Sequence, residues 1–297
     1  MLVTTAQDFR VQQFPLLEDR PVTAERFLLI RPDRFDVRGC DDNAFADLGS
    51  GKDQELLTQQ HTQVVDLLQR LGKQVQVFPG MNAHDTFCNN VFGTDRNRRL
   101  IVGNMFNPVR KAEADRPDVI RWFLDRGYEV VKVSDFADEA AELTGVLVID
   151  HLRNIGFCGL SNRCTLKGAE VLQQVFGLSA VYVFPITIYH TNVGLSILAG
   201  RVCVICPEMF VNPEDAQAIL DFYPQHIVLS KQQMDEFAGN VLAVSGEDVV
   251  VSSRGFQAWT GEQKKRLSEF GFLLHQVELS ELEKSGGSMR CLLAEVF

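Results

Sequence analysis

Residues 54–78, QELLTQQHTQVVDLLQRLGKQVQVF, decide the fold, because they form a helix pattern that stops at a glycine and continues as a strand pattern. Apolar and half-apolar residues recur there at helical spacing: Leu57, His61, Val64, Leu68 and Leu71. Gly72 follows, and alternating apolar residues then indicate a strand. This stretch predicts one unit made of a helix, a glycine stop and a strand.

The same order of features returns four times along the chain, in residues 117–133, 167–184, 216–230 and 261–279. The successive breaks, at Gly72, Gly127, Gly177, Pro224 and Gly271, are 47 to 55 residues apart. Further strand-like runs lie between these units, at 27–32, 99–103, 146–150, 155–159 and 201–207. Repeats of this length favour a ring of mixed units, and no Pro-rich or Ser-rich linker divides them. We therefore expect an α+β fold and a single domain over residues 1–297; an ordinary α/β sheet with accidental regularity is the alternative.

Composition narrows the classes of partner. The 297 residues carry a formal net charge of −10, and Lys and Arg are scattered, which argues against nucleic acid or an anionic membrane as partner. The first twenty residues mix charges with apolar residues and do not resemble a signal peptide, and no stretch reaches membrane-spanning length. We expect a cytoplasmic protein.

Seven cysteines are an odd number in a chain too large to need disulfides, so we expect reduced thiols. Cys203 and Cys206 form a CxxC pair, but they lie in a β-branched run that is typical of a buried strand. No second CxxC or spaced histidine pair completes a zinc site, so we predict no metal.

Chemically versatile residues follow the strands of several units. Asn90, Glu142, His190 and Cys291 each lie six to twelve residues beyond such a strand. In a ring, the loops that leave equivalent strands meet at one end, so these side chains are expected to share a cavity. Cysteine, histidine and a carboxylate supply a nucleophile, a proton shuttle and an orienting partner. Taken singly, each is as readily a surface or core residue.

The segment GGSMRCLLAEVF, residues 286–297, carries the candidate nucleophile. A glycine pair before it suits a hinge or tight turn, and Arg290 beside the sulfur of Cys291 is expected to favour the thiolate. On that ground Cys291 should be alkylated ahead of the other six thiols near neutral pH.

Taken together, these motifs resemble the guanidino-group-modifying superfamily, which includes amidinotransferases, arginine deiminase and dimethylarginine dimethylaminohydrolase. The resemblance is strongest to its citrulline hydrolase branch and runs nearly end to end. It rests on FLLIRPDRF (27–35) with DNAF (42–45), DTFCNNVF (85–92), VRKAE (109–113), AELTG (141–145), GLSNRC (159–164), YHTNV (189–193) and the cysteine segment. The resemblance implies a five-bladed α/β propeller, known as the pentein fold, with its site at the centre.

By the same resemblance, Cys291 is the nucleophile, His190 the acid and base, and Glu142 its acidic partner. Arg110 and Arg163 stand where relatives hold the substrate's carboxylate, a task that suits a planar bidentate fork; a surface ion pair is the alternative. Three positions depart from the pattern and put the loop geometry around Glu142 and Arg163 in question: Leu143, Val146 and Cys164.

Asparagines at two positions favour a neutral substrate head. Relatives that act on guanidinium groups clamp that cation with aspartates, at the positions of Asn90 and Asn192. A buried cation needs opposite charge, whereas an amide side chain can donate to and accept from a neutral ureido group. Asn89 and Asn90 can also form a simple turn.

Three further residues complete the predicted substrate site. Asp85 could hold the substrate's ammonium and ranks below Glu142, Asn89 shares the loop, and Asn43 enters by family analogy alone. His84 and His151 are interpreted as structural.

The sequence thus predicts a cysteine-dependent hydrolase of the ureido C–N bond of L-citrulline, acting through a thiocarbamate on Cys291 without metal or organic cofactor. Alternatives are a hydrolase or deiminase of arginine or methylarginine, an amidinotransferase, or a non-catalytic propeller that binds an amino acid. A homodimer is possible.

Overall fold

The computed structural model describes residues 1–17, 20–36, 43–47, 49 and 51–297, so one of the seven cysteines, Cys40, and the first residue of the DNAF motif, Asp42, lie outside it. The strands of the described residues are β1 Leu2–Val3, β2 Arg26–Ile30, β3 Gln74–Phe78, β4 Phe92–Thr94, β5 Arg99–Val102, β6 Glu129–Lys132, β7 Leu147–Asp150, β8 Ile155–Leu160, β9 Ala180–Pro185, β10 Leu195–Leu198, β11 Val202–Ile205, β12 His226–Val228, β13 Leu242–Ala243, β14 Asp248–Ser252, β15 Leu273–Val277 and β16 Ala294–Val296. The α-helices are α1 Ala6–Val11, α2 Gln54–Arg70, α3 Pro117–Leu124, α4 Leu143–Val146, α5 Leu166–Val175, α6 Pro213–Phe222, α7 Lys231–Asp235, α8 Ser253–Ala258, α9 Gly261–Glu269 and α10 Ser280–Glu283. Short 3₁₀ helices span Cys88–Asn90, Pro108–Ala114, Val133–Asp135, Thr191–Val193, Pro207–Met209 and Met289–Leu292.

These strands form five small sheets with one shared topology, which we call blades I to V. Blade I is β16-β2-β3, blade II β4-β5-β6, blade III β7-β8-β9 with β1 at its edge, blade IV β10-β11-β12 and blade V β13-β14-β15. In every blade the first two strands are antiparallel, and the third is parallel to the second. A parallel pair needs a crossover, and a helix supplies it in each blade: α2, α3, α5, α6, or α8 with α9.

The five blades close into a ring around an axis. The first strands of neighbouring blades pack together, β16 on β4, β7 on β10 and β10 on β13, and α4 joins β4 to β7. Blade I is assembled from distant parts of the chain, because Ala294 pairs with Leu28 and Val296 with Arg26. The predicted α+β propeller of about five units is confirmed, and similar solved structures reported below share this fold.

Glycines end four of the crossover helices where the sequence placed the breaks. Gly72, Gly127, Gly177 and Gly271 have φ of 77°, 75°, 62° and 84°, the left-handed region that other L-residues rarely adopt. At the fifth break, α6 ends at Phe222 and Pro224 follows. Each predicted strand-like run is observed as a strand within one or two residues of its predicted bounds.

Buried apolar side chains fill the space between sheets and helices, and they include Cys203 and Cys206, as the packing interpretation of that pair expected. In the described part of the chain, no helix is long and apolar enough to cross a membrane.

Candidate active site

The segments that connect one blade to the next carry the candidate residues to the axis. Asn90 ends the 3₁₀ turn before β4, Glu142 immediately precedes α4, and His190 precedes the 3₁₀ turn Thr191–Val193. Cys291 lies in the 3₁₀ turn Met289–Leu292, just before β16. Four different blade junctions therefore deliver these four side chains.

One cavity unites most of the predicted residues. The empty space within the cavity is about 380 Å³, including the part at its mouth that is open to solvent. Its described walls are Asn43, His84, Phe87, Asn90, Arg110, Arg163, Tyr189, His190, Ser285, Gly286, Gly287 and Cys291. The side chains of Cys291 and His190 are only 2% and 1% exposed, so this cavity is their approach to solvent.

His190 and Glu142 form a buried pair. The His190 Nε2 lies 2.8 Å from Glu142 Oε2, and both residues are buried. Because Glu142 is ionised, Nε2 must carry the proton and donate it, which leaves Nδ1 as the basic nitrogen. Nδ1 has no hydrogen-bond partner among the described residues. The imidazole is thus held in one tautomer with its lone pair available.

Two arginines approach the same carboxylate from other blades. Arg163 Nη1 donates to Glu142 Oε1 at 3.1 Å, and Arg110 Nη1 lies 3.7 Å from Glu142 Oε2. Arg110 also makes a bidentate pair with Glu113, with both N–O distances 2.8 Å. The sequence analysis left a surface ion pair open for these arginines; they are instead buried and lie on the cavity wall.

The surroundings set the protonation of the site. Burial would raise the pKa of Glu142, but the hydrogen bond and charge of His190 and the charges of Arg110 and Arg163 outweigh it and lower the pKa to about 2. Burial lowers the pKa of His190 despite its bond to Glu142. Burial raises the pKa of Cys291 above the usual 9.0. Without substrate, the pair is therefore a neutral thiol and a neutral imidazole.

Arg290 acts on Cys291 in the direction that the sequence predicted, although its side chain does not line the cavity. The Arg290 guanidinium points away from the cavity, where it donates to Leu293 O and Glu295 Oε2, both at 2.8 Å. Its charge does lower the pKa of Cys291, but burial of the sulfur has the larger effect. Backbone conformation and packing require the two glycines before this turn. Gly286 has φ of 78°, and a Cβ on Gly287 would lie 2.5 Å from the Phe87 ring.

Asn90 lies on the cavity wall, and its amide oxygen lies beside Gly145. Its side chain is 3% exposed, and Oδ1 has no partner within the described parts of the chain. Gly145 makes room for it, since a Cβ there would lie 2.5 Å from Asn90 Oδ1 and 3.0 Å from His190 Nδ1. A buried acceptor of this kind is ready for a donor from a ligand.

Three other predicted binding residues do not line the cavity. Asn192 donates to Thr144 O at 3.0 Å, and Asn89 Nδ2 lies 3.4 Å from Thr144 Oγ1. Asp85 is captured by Arg116, at 2.6 Å, and accepts backbone N–H bonds from Met81 and Asn82. The structure thus shows Asp85 in a buried ion pair, where the sequence analysis expected it to hold substrate ammonium. Asn43, in contrast, is on the wall, held by Ser285 O and Gly286 O.

Sequence reasoning missed three residues at this site. His84, interpreted as structural, and Tyr189 both line the cavity, and the Tyr189 hydroxyl donates to Gly286 O. Asn240 contacts Cys291 from blade V, with Nδ2 3.5 Å from Sγ. A signal for Asn240 was present, because Asn-Val precedes the first strand of blades II, IV and V, at 90, 192 and 240.

The three residues that depart from the superfamily pattern are all buried: Leu143, Val146 and Cys164. Leu143 has φ of 24° and is buried, and its side chain lies over Gly103, where a Cβ would be 3.0 Å from Leu143 Cγ. Cys164 Sγ lies 3.6 Å from Cys158 Sγ in the core behind Arg163. Across the described residues, no group of three or more His, Cys, Asp or Glu side chains is arranged to hold a metal ion.

Comparison with known proteins identifies relatives of this fold and site. Residues 31–297 match the sequence model of the family described as N,N dimethylarginine dimethylhydrolase, eukaryotic. The uncharacterized protein YkgA of Bacillus subtilis (strain 168) is 23% identical over 241 residues, which are 78% of this chain and 77% of that protein.

Solved structures share the architecture at lower identity. ArgZ, an arginine dihydrolase from the ornithine-ammonia cycle in cyanobacteria, superposes with a TM-score of 0.80 at 20% identity over 91% of this chain. This chain spans about 40% of the length of ArgZ, and 97% of the ArgZ N-terminal domain crystallised with a covalently bound reaction intermediate (TM-score 0.79, 20% identity, 92% of this chain). A dimethylarginine dimethylaminohydrolase adduct superposes with a TM-score of 0.70 at 18% identity, over 92% of this chain and all of that one.

The family match covers most of the chain, and the five-bladed topology agrees with the fold of the similar solved structures. The chain therefore belongs to the N,N-dimethylarginine dimethylhydrolase family of hydrolases, in the pentein superfamily of guanidino-group-modifying enzymes.

Proposed function

We propose that this enzyme hydrolyses the ureido group of L-citrulline, giving ornithine, ammonia and carbon dioxide through a thiocarbamate on Cys291. The observation that carries the proposal is the charge of the cavity wall. Among the described residues that line it, the wall offers two guanidinium groups and two asparagine amides but no carboxylate. A neutral head with a carboxylate tail complements this wall, and a guanidinium head does not.

The nearest buried carboxylates support this choice, because both are already neutralised. Glu142 is engaged by His190, Arg110 and Arg163, and Glu113 is engaged by Arg110. A guanidinium entering the cavity would have to compete with these cations for the same oxygens. The Asn90 Oδ1 needs only a donor, and a ureido N–H supplies one.

Arg110 and Arg163 are the proposed partners of the substrate's amino-acid carboxylate. Both side chains line the cavity, and the charge of each is partly balanced by Glu113 or Glu142. Guanidinium and carboxylate match as planar forks, so the tail would be fixed and the ureido carbon directed towards Cys291. Asn43, on the same wall, is a proposed additional contact for the tail.

In the proposed mechanism, substrate binding displaces water from the cavity, and the Cys291 proton passes to His190 Nδ1. The Sγ thiolate then attacks the ureido carbon, while imidazolium protonates the terminal nitrogen, so that the C–N bond breaks and ammonia leaves. A thiocarbamate remains on sulfur. Nδ1 next removes a proton from water, whose oxygen attacks the same carbon and expels the Cys291 sulfur, which recovers the proton. The released carbamate breaks down to ornithine and carbon dioxide.

Glu142 stabilises each imidazolium in this cycle. Its carboxylate is ionised, because its pKa is about 2, and it accepts the Nε2 proton throughout. A resting thiol with a raised pKa means that proton transfer to His190 is part of the reaction and follows substrate binding. No step requires a metal or an organic cofactor.

A panel of purified reactions tests the proposal. The enzyme is given citrulline, arginine and ω-N-methylated arginines separately, and ornithine, citrulline and ammonia are measured. We expect ornithine from citrulline, no turnover by Cys291→Ser, and mass spectra of His190→Ala without an accumulated thiocarbamate, because acylation also needs the imidazole. Ornithine from arginine but not from citrulline would overturn the asparagine argument.

Rival functions give different patterns in the same panel. Citrulline from arginine or a methylarginine would indicate a guanidino hydrolase or deiminase, and arginine consumed to ornithine with transient citrulline would match the activity named for ArgZ. Amidino transfer would require an added amine. A non-catalytic amino-acid binder would turn over none of the compounds and would bind at least one equally well with Cys291→Ser.

Asn90→Asp probes the choice of head group directly. The new carboxylate would lie in the cavity and repel the ureido oxygen while attracting a cation, so we expect KM for citrulline to rise about tenfold or more. Asn89→Asp is the matched control, because the Asn89 amide lies against Thr144 and not on the cavity wall. Equal losses in both variants would mean that the loop, and not the head-group contact, was damaged.

A further inference from the structure

We propose that Asn240 is a positioning residue for the Cys291 nucleophile: its amide fixes the backbone that carries the cysteine and donates a hydrogen bond to the ionised sulfur. This inference rests on the proposed function, in which Cys291 attacks the substrate. Asn240 is fully buried and lies just before β13, in the position that Asn90 and Asn192 occupy in blades II and IV.

The orientation of the Asn240 amide follows from its neighbours. The Arg290 backbone N–H donates to Oδ1 at 2.9 Å, and because a backbone N–H cannot accept, the oxygen must face it. Nδ2 is therefore on the opposite side, where it donates to Asn192 O at 2.9 Å. Nδ2 also lies 3.4 Å from Asn192 Oδ1 and 3.5 Å from Cys291 Sγ, so its second hydrogen is shared between these two acceptors in the resting enzyme and can turn to the sulfur when the sulfur is ionised.

The same amide suits both protonation states of the sulfur. Cys291 Sγ lies 3.8 Å from Asn240 Oδ1, so the thiol has an acceptor within reach. After the proton leaves, Nδ2–H is a donor to the thiolate, and hydrogen bonds to an ionised group are among the stronger ones. Because the amide is neutral, Asn240 can serve both states without adding a charge to a site that already contains several charged groups.

Other groups that face Cys291 also bear on its ionisation. The cationic and titratable side chains around it come from its own turn and from the neighbouring blades: Arg290, Arg110, Arg163, Tyr189, His190 and His84. The Asn240 hydrogen bond acts beside them in favouring the thiolate, against burial of the sulfur. Removal of the Asn240 hydrogen bond should therefore raise the pKa of Cys291 while these groups stay in place.

The backbone around Asn240 is anchored independently of the sulfur. Ser196 Oγ lies 2.8 Å from Gly239 O and 3.0 Å from Val241 O. Gly239 itself touches blade IV so closely that a Cβ would lie 2.5 Å from Val193 O. Ser196→Ala thus loosens the same segment without altering the amide, and it provides the matched control.

The test measures iodoacetamide alkylation of Cys291 against pH in the substrate-free enzyme, with the modified peptide quantified by mass spectrometry. Asn240→Asp keeps an acceptor for the Arg290 N–H, and when ionised it has no donor for the sulfur. Asn240→Ala removes both groups. We expect the pH midpoint of Cys291 alkylation to rise by about one unit or more in both variants. At pH values below the midpoint, alkylation should then be about tenfold slower than in the wild type.

Ser196→Ala should lower stability to urea and leave the alkylation midpoint unchanged. In turnover of citrulline, Asn240→Asp should lower kcat and leave KM nearly as in the wild type, because Asn240 is not among the described residues of the cavity wall. Wild-type midpoints in both Asn240 variants, or an equal shift in Ser196→Ala, would overturn the inference.

A second measurement keeps Asn240 unaltered, so it does not depend on whether the Asn240 variants fold. In protein labelled with ¹⁵N-asparagine, the side-chain amide signal of Asn240 should move with pH at the Cys291 alkylation midpoint and stay fixed in Cys291→Ser; a signal that ignores this ionisation would contradict the proposal. Labelling and NMR need no substrate, so a failure of the Asn240 contact is distinguished from a failure of the proposed function, which the substrate panel tests.

Discussion

Glu142 is the residue on which the charges of three blades converge. It accepts a hydrogen bond from His190 and pairs with Arg110 and Arg163, all of them buried. Its pKa is lowered to about 2, so it contributes stability above the ordinary value of 4.5 and loses this contribution as pH falls towards 2. Protonation of Glu142 should therefore contribute to unfolding of the whole ring in acid.

Activity should be insensitive to pH over a wide range. In the proposed mechanism, the reactive form is the Cys291–His190 pair with one proton, whichever atom holds it. Because the pKa of His190 lies below 6.5 and that of Cys291 above 9.0, this form persists from pH 6.5 to 9.0. We expect kcat/KM for citrulline to be nearly flat across that interval and to fall below it as His190 is protonated. A halving of kcat/KM between about pH 7 and about pH 8 would show that another essential group titrates there.

Gly145 is a sensitive position for catalysis. An alanine Cβ would lie 2.5 Å from Asn90 Oδ1 and 2.9 Å from His190 Cε1, so one or both side chains must move. A displacement of this size at a reacting group costs about a hundredfold in rate, and we expect such a loss of kcat in Gly145→Ala.

Gly93→Ala is the control for Gly145, because a Cβ at Gly93 makes only ordinary contacts, 3.5 Å or more from Phe176 and Leu143. It should retain most of the activity. Similar kcat values for the two variants would mean that the site tolerates movement of His190.

At the scale of elements, the sequence predicted the helices, strands and breaks well, since these depend on local periodicity and on glycine. It also predicted which segments reach the axis. The partners chosen between separate segments of the ring could not be predicted: Asp85 pairs with Arg116, and Asn192 bonds to Thr144. Each choice depends on how blades dock, which no local pattern encodes.

The glycine at the end of α2 tests the local part of this account. Gly72 has φ of 77°, and among the described residues no heavy atom lies within 4 Å of the place that a Cβ would take, so alanine there adds strain without a clash. We expect Gly72→Ala to lower the free energy of unfolding by about 1–2 kcal/mol, measured by urea titration.

Gly261→Ala is the comparison for Gly72. Gly261 begins α9 and is equally open among the described residues, so alanine should be neutral or slightly stabilising there. A loss at Gly261 as large as that at Gly72 would contradict the conformational explanation.

At the scale of the molecule, the ring should unfold as one unit, in keeping with the predicted single domain. Every blade packs on two neighbours, and blade I joins β16 to β2 across most of the chain. Trp122 lies in blade II and Trp259 in blade V, and the Trp259 Nε1 donates to Ala238 O at 2.8 Å.

Trp122→Phe and Trp259→Phe each leave one tryptophan as the fluorescent reporter. The shift in urea midpoint that each substitution itself causes is measured by circular dichroism. After correction for that shift, the two fluorescence midpoints should be the same. Two separated transitions would show that the ring opens in parts and would contradict a single domain.

Blade I has a consequence for biosynthesis. Its outer strands emerge from the ribosome early, but its innermost strand, β16, is made after every other blade strand, and the reactive sulfur lies three residues ahead of it. Until that strand docks beside β2, the sulfur has no fixed place opposite the imidazole. A nascent chain is therefore inactive until β16 pairs with β2, so the ring is completed and the enzyme becomes competent in the same step.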